Sequence, residues 1–241
     1  SGNNSTAMGA NTLASGEVST AMGYATTASG SSSVAIGLST TANGNNSTAM
    51  GISTTASGSV STATGRSTTA SDYGSTVIGQ YNSSGSSVTN SATSFSTSNT
   101  AFVIGNGTLG NLSDAFKVMF NGDATISNDL TVVGDVEVQS DERLKSNIES
   151  LGSTLTKLLQ LDGKSYEVKG KQKIGLLAQD IQGVFPELVS KNESEILAVN
   201  YQGLIPVLIN AMKEQQGKIE NYQKEVIELK AMVQKLMKRD K

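Results

Sequence analysis

Small apolar residues recur along the first part of the chain at one fixed interval. Aligned on glycine, the period is 14: NNSTAMGANTLASG (3–16), EVSTAMGYATTASG (17–30), SSSVAIGLSTTANG (31–44), NNSTAMGISTTASG (45–58), SVSTATGRSTTASD (59–72) and a degenerate YGSTVIGQYNSSGS (73–86). The shared frame is S-x-A-x-G-x-x-x-x-A-x-G. Apolar pairs at Ala7/Met8, Ala21/Met22, Ala35/Ile36, Ala49/Met50 and Val77/Ile78 stand just ahead of Gly9, Gly23, Gly37, Gly51 and Gly79. One such unit buries nothing alone. Stacked units bury alternate strand residues, with glycines making turns at positive φ. A disordered Ser/Gly-rich linker is the competing reading, but a linker has no reason to keep Ala, Met and Ile in register. The pattern predicts an ordered β-solenoid over 1–86.

Residues 87–100 lose the period and read as loop or irregular strand. β patterning returns at 101–104 and 115–120, then Asn121-Gly122 signals a turn and 124–126 a further short strand. From Leu130 to Val138 β-branched residues alternate with polar ones, which reads as another strand. The segment 87–139 is thus a β connector or shaft. It is either a small antiparallel sheet of its own or strands completed by other copies.

The remainder switches to helical spacing. Leu144, Ile148, Leu151, Leu155, Leu158 and Leu159 follow a helical period. A strand is expected at 165–168, ending in the basic turn Lys169-Gly170-Lys171. A helix should follow Gly175 through Ile181, then a loop at 185–188 and a short strand at 196–199. From Leu204 the apolar steps alternate 3 and 4: Ile205, Leu208, Met212, Gln215, Ile219, Tyr222, Val226, Leu229, Val233 and Leu236. These are the a and d positions of a coiled coil with a polar d layer at Gln215. Val and Ile at a with Leu at d lean toward a dimer. A single amphipathic helix packed on its own domain, with Pro206 in its first turn, is the alternative. The organisation expected is 1–86 solenoid, 87–139 connector, 140–203 small globular part and 204–241 coiled coil.

Charge sharpens the division. Residues 1–100 hold only Glu17, Arg66 and Asp72 as charged side chains, in a chain of 241 residues with net charge −3. That balance gives no case for nucleic acid or an anionic membrane surface. With no Cys and no His, disulfides, thiolate chemistry, His-based catalytic pairs and His-ligated metals are excluded. No cofactor or metal is expected. No apolar run is long enough to span a bilayer and no signal peptide opens the chain, so no membrane insertion is expected. The abrupt repetitive start reads as part of something longer. The repeats hold no carboxylate cluster for glycan hydrolysis, which makes an external substrate improbable.

The S-x-A-x-G…A-x-G frame resembles the head repeats of trimeric autotransporter (YadA-like) adhesins. That resemblance implies left-handed β-rolls packed three abreast, small residues facing a shared axis, and binding to a host surface or glycan. Phe116-x-Val118-x-x-Asn121-Gly122 resembles the shaft-to-tip region of phage tail fibres. Ser140-Asp141-Glu142-Arg143-Leu144-Lys145, followed by Asn147-Ile148, resembles the S-D-x-R-x-K-x-N-I opening of the peptidase S74 intramolecular chaperone domain. The likeness continues through Gly175-Leu176-Leu177-Ala178-Gln179-Asp180, Phe185-Pro186-Glu187-Leu188-Val189, Ala198-Val199-Asn200-Tyr201-Gln202-Gly203-Leu204-Ile205-Pro206 and Lys213-Glu214-Gln215.

That family trimerises and folds the β-structure ahead of it and then cuts itself off. The resemblance implies Ser140 as nucleophile and Lys145 as general base, with Asp141, Arg143 and Asn147 supporting the motif. A serine hydroxyl needs a neighbouring base, and lysine serves when burial lowers its pKa. Within one chain Ser140 Oγ reaches the Gln139 carbonyl through a five-membered ring, which favours cleavage between Gln139 and Ser140; a serine from a neighbouring chain would change the bond. Ser140-Asp141-Glu142 also reads as a helix N-cap, which would aim N–H groups at an oxyanion. The fold class expected is β then α+β, a homotrimeric β-roll and shaft followed by a small chaperone domain and a long coiled-coil helix. The resemblances outweigh the dimer-leaning core residues. The function expected is a trimeric phage tail fibre or bacterial surface adhesin, extracellular, with a single-turnover self-cleaving serine peptidase. The alternative is a non-cleaving adhesin whose last domain is a permanent trimer anchor.

Overall fold

A computed structural model describes residues 1–192 and 195–239. They form two units, Ser1–Glu137 and Val138–Lys241.

In the first unit a long and a short strand alternate through each 14-residue coil. They are β1 (Thr6–Ala10), β2 (Leu13–Ala14), β3 (Thr20–Tyr24), β4 (Thr27–Ala28), β5 (Val34–Leu38), β6 (Thr41–Ala42), β7 (Thr48–Ile52), β8 (Thr55–Ala56), β9 (Thr62–Arg66), β10 (Thr69–Ala70) and β11 (Thr76–Gln80). Long strands stack only on long strands, parallel and shifted by one repeat, so Ala21 pairs with Ala35 and Ala35 with Ala49. The short strands make a second parallel sheet in the order β10-β8-β6-β4-β2. The core between the two sheets is a column of alanines, Ala14, Ala21, Ala28, Ala35, Ala42, Ala49, Ala56, Ala63 and Ala70, capped by Val77 and Val103. The space between the sheets is too narrow for larger side chains, and this is the physical content of the S-x-A-x-G frame.

Two conformational devices fold each coil. Every seventh residue from Asn4 to Ser67 turns a corner at positive φ, and the corners include two β-branched residues, Val18 (φ 56) and Val60 (φ 61). From Val18 onward each corner N–H is taken by a carbonyl of the coil before it, as in Val60 N to Asn45 O at 2.8 Å. Glycine is required elsewhere by close approach. At Gly51 φ is +126, and a Cβ there would lie 2.0 Å from Gly65 O.

A second glycine column, Gly2, Gly16, Gly30, Gly44 and Gly58, ends at Asp72. After β11 the chain leaves the coil, which leaves room for a side chain at 72. Buried Asp72 accepts Thr89 N on Oδ1 at 2.6 Å and Thr100 N on Oδ2 at 2.8 Å, and so ties the excursion to the stack. Buried Asn82 imitates the missing next strand, accepting Thr69 N and donating to Thr69 O. The chain then rejoins the stack. β12 (Thr100–Asn106) lies parallel on β11, Val77 opposite Val103, and β13 (Asp114–Met119) and β14 (Ala124–Ile126) add antiparallel beyond it. The shaft sheet therefore grows directly from the solenoid sheet. The strand expected at 130–138 does not form: Leu130, Val132, Val133, Val136 and Val138 are exposed and pair with nothing in this chain's sheets. An alternating segment becomes a strand only beside a partner edge.

The second unit opens with a 3₁₀ turn at Glu142–Leu144, then α1 (Leu155–Leu158). The continuous helix expected from Leu144 to Leu159 is interrupted, because Asn147 (φ 52) and Gly152 (φ 64) take left-handed conformations that no helix continues through. The hairpin β15 (Lys164–Val168) and β16 (Lys171–Gly175) turns at Lys169-Gly170, both at positive φ, which suits a two-residue hairpin. α2 (Ala178–Val184), a 3₁₀ turn at Pro186–Leu188 where a loop was expected, and the pair β17 (Val189–Lys191) and β18 (Leu197–Val199) lead to α3 (Leu204–Arg239). Ile181, Phe185, Leu204 and Val207 form this unit's small core.

Candidate self-processing site and self-association surfaces

The 3₁₀ turn folds the Ser140–Lys145 stretch back on itself. Leu144 N donates to Asp141 O and Lys145 N to Glu142 O. This brings Lys145 Nζ to 2.6 Å from Ser140 Oγ, with Nζ donating. The two residues that the motif pairs thus meet, at hydrogen-bond distance, in a shallow depression lined by Gln139, Ser140, Asp141, Arg143 and Leu144.

Asp141 caps the turn, accepting Arg143 N on Oδ1 at 2.9 Å, and forms a two-pronged pair with the Arg143 guanidinium through Oδ1 at 3.0 Å and Oδ2 at 2.6 Å. The Arg143 side-chain hydrogen bond, then its backbone N–H, hold the Asp141 carboxyl below its usual range. Asp141 is thus both the cap of this turn and the ion-pair partner of Arg143. Asn147 supplies the left-handed bend that follows the turn.

Two expectations about the chemistry change here. The N-cap reading offered free N–H groups for an oxyanion, but the turn is three residues long and Arg143 N is occupied by Asp141. The lysine-base argument called for burial, yet Ser140 and Lys145 are both exposed in this chain. A lone chain aligns the pair without desolvating it.

Every heptad position named from the sequence lies on α3 and is exposed: Ile205, Leu208, Met212, Gln215, Ile219, Tyr222, Val226, Leu229, Val233 and Leu236, the hydrophobic ones from 43% at Ile219 to 69% at Met212. A different stripe of the same helix, Leu204, Val207 and Ala211, is buried against its own unit. The expected packing of this helix on its own unit thus holds for these three residues, while the heptad stripe lies exposed along the helix. Two neighbouring columns run up the solenoid's long strands, with Met8, Met50 and Ile78 exposed in one and Tyr24, Leu38 and Ile52 in the other.

One site residue was not legible in the sequence. Glu214 accepts Ser153 Oγ at 2.7 Å, together with Thr154 N and Leu155 N. The Ser153 hydrogen bond, then that of Thr154 N, hold its carboxyl below the usual range. The Lys213-Glu214-Gln215 run marked the place, but a contact spanning about sixty residues leaves no local signal.

Residues 140–190 match the family model described as the chaperone of endosialidase, peptidase S74. The YadA head domain repeat model matches repeatedly, at 1–26, 14–40, 28–54, 42–68 and 56–82. No curated protein matches the sequence. The chain joins head repeats of the YadA type, folded as a β-solenoid, to small strands, a segment of the endosialidase-chaperone type and a long helix. Among the described residues no helix is long and apolar enough to cross a membrane.

Proposed function

We propose that the chain is part of a homotrimeric extracellular fibre, a phage tail fibre or surface adhesin, whose last hundred or so residues assemble and fold the β-solenoid and then cut themselves free. Parallel β-structure shared between chains nucleates slowly, because distant segments must meet in register. A coiled coil formed by α3 raises the local concentration of the other chains and aligns them. Removing it afterwards closes the route back, which leaves the fibre kinetically trapped.

The cut itself uses Ser140 and Lys145. Deprotonated Lys145 takes the Ser140 hydroxyl proton, and Oγ attacks the Gln139 carbonyl carbon. The Gln139–Ser140 C–N bond breaks as the Ser140 nitrogen gains a proton, giving an ester. Water then splits the ester into the Gln139 carboxylate and a chain beginning at Ser140. The observation that carries this reading is the 2.6 Å approach of Lys145 Nζ to Ser140 Oγ at the first residue of the matched chaperone segment. Receptor or glycan contact belongs to the solenoid; no cofactor, nucleic acid or external substrate is part of the proposal.

Exposure of the dyad favours a second reading, a permanent trimer anchor that never cuts. Intact mass of the purified chain decides between them. The first reading expects a fragment of about one hundred residues that Ser140→Ala and Lys145→Met both abolish. An intact wild-type chain establishes the anchor.

A further inference from the structure

Self-cleavage must wait until the fibre has formed, so the dyad needs a connection to the helix that brings the chains together. Six residues of irregular chain, 146–151, separate Lys145 from the first contact with α3. At that contact Asn210 Nδ2 donates to Gly152 O at 3.3 Å, and buried Thr154 donates through Oγ1 to Val207 O at 2.8 Å. Glu214 holds the same place from one turn further on, through Ser153 Oγ and the N–H groups of Thr154 and Leu155.

These anchors sit on the buried stripe of α3, while the heptad positions Ile205, Leu208 and Met212 on the same turns are bare. A single helix therefore carries the self-association stripe on one side and the tether of the cutting segment on the other. Glu214 supplies more of the tether's hydrogen bonds than any other side chain, and it is a carboxylate whose acceptors all face one short segment.

We propose that Glu214 is a positioning residue for the Ser140–Lys145 pair, converting alignment of the α3 helices into placement of the cutting segment. The proposal rests on the self-cleavage reading. Its physical content is reach. With Gly152–Leu155 fixed, the seven chain steps back to Lys145 span roughly 25 Å at most. Without Glu214 the segment keeps only single hydrogen bonds from Asn210 to Gly152 O and from Thr154 to Val207 O; where these open too, the next fixed point is Leu158 on α1, packed against the unit's core, and the reach grows to roughly 40 Å at most. The volume open to the dyad then rises by at most about fourfold, and its effective concentration where the chains meet falls accordingly.

The test compares full-length wild type, Glu214→Gln and Glu214→Ala at a concentration where sedimentation shows each to be trimeric, following release of the fragment by intact mass. Cleavage per trimer should slow by up to about fourfold in Glu214→Ala. Glu214→Gln should fall between, because its amide oxygen still accepts the Thr154 and Leu155 N–H groups. A rate per trimer equal to wild type in Glu214→Ala, with any loss explained by fewer trimers, overturns the proposal. A second readout does not depend on cleavage. Hydrogen exchange in Ser140→Ala, with and without Glu214→Ala, should quicken at Thr154 and Leu155 and also back at Leu144 and Lys145. A change confined to Thr154 and Leu155 sinks the link. A wild-type chain that never cleaves refutes the self-cleavage reading instead, while the exchange comparison still decides the role of Glu214.

Discussion

The two units bury their apolar residues in opposite ways. The solenoid closes its core within one chain, using side chains so small that alanine after alanine is fully buried. The second unit closes only a small core around Ile181 and Phe185 and leaves the heptad stripe of a 36-residue helix in water. A stack whose contacts are all between neighbouring coils is tolerant in length but needs a template to start. A helix with a bare apolar stripe is a poor monomer and a ready partner. On the proposed function the labour divides accordingly: the helix finds the other copies, and the solenoid forms once they are aligned.

Changing one of the solenoid's close backbone contacts should separate the two units most sharply. Gly51→Val places a Cβ against Gly65 O at an unsuitable φ, and it should cost at least about 3 kcal/mol. The check is loss of β-sheet circular dichroism and resistance to thermolysin, with the helical signal of α3 retained. The converse change is Ile219→Glu on the bare stripe, which should dissociate the trimer in sedimentation equilibrium while leaving α3's buried stripe docked. If Ile219→Glu stays trimeric, the helix is not the partner-finding element and the solenoid's exposed columns take that role.

Smaller changes probe how the solenoid ends. Asp72→Ala removes the acceptor of two N–H groups at a fully buried position, which should cost about 2–3 kcal/mol. Limited proteolysis should then cut within 87–99, where wild type resists. Val60→Asn should act in the other direction. It keeps the corner at φ 61 with a residue that tolerates it, as Asn46 does one coil earlier, and should gain about 1 kcal/mol in thermal unfolding.

The smallest effect expected is electrostatic. Hydrogen bonding lowers the folded-state pKa of Glu214 below its ordinary 4.5. A depressed carboxyl stabilises the fold above its unfolded pKa, and that stability is lost as pH falls through the folded value. Docking of Ser153–Leu155 should therefore weaken only below about pH 4.5, and Glu214→Gln should flatten that acid limb in a pH series of amide exchange. An unchanged acid limb in the variant removes Glu214 as its cause.

The sequence carried the solenoid well because its geometry is repeated: each glycine column recurs every 14 residues, and the core alanines every 7, two to a coil. The corners were hidden. Asn, Val, Ala, Ser and Tyr all occupy the left-handed positions, and only the backbone makes them equivalent. The return of β12 to the stack was also missed, since the spacing from β11 jumps to 26 residues. Its signal was present in Val103-Ile104-Gly105, which repeats Val77-Ile78-Gly79. At the candidate site the Ser140–Lys145 pair could be read from its motif, because its members are five apart. Glu214 could not, because its partners lie about sixty residues away. The unformed strand at 130–138 and the broken helix after Leu144 share one cause. Apolar periodicity states a preference for a partner surface, and left-handed residues or an absent edge decide whether this chain supplies it.

The glycine column has a consequence for size. Because every coil meets the next through the same backbone-to-backbone seat, one coil can be excised or inserted without altering what its neighbours touch. Each such event lengthens or shortens the stack by one strand spacing, about 4.8 Å. The solenoid's length is therefore quantised, and it can be retuned by whole increments while the second unit's sequence stays untouched.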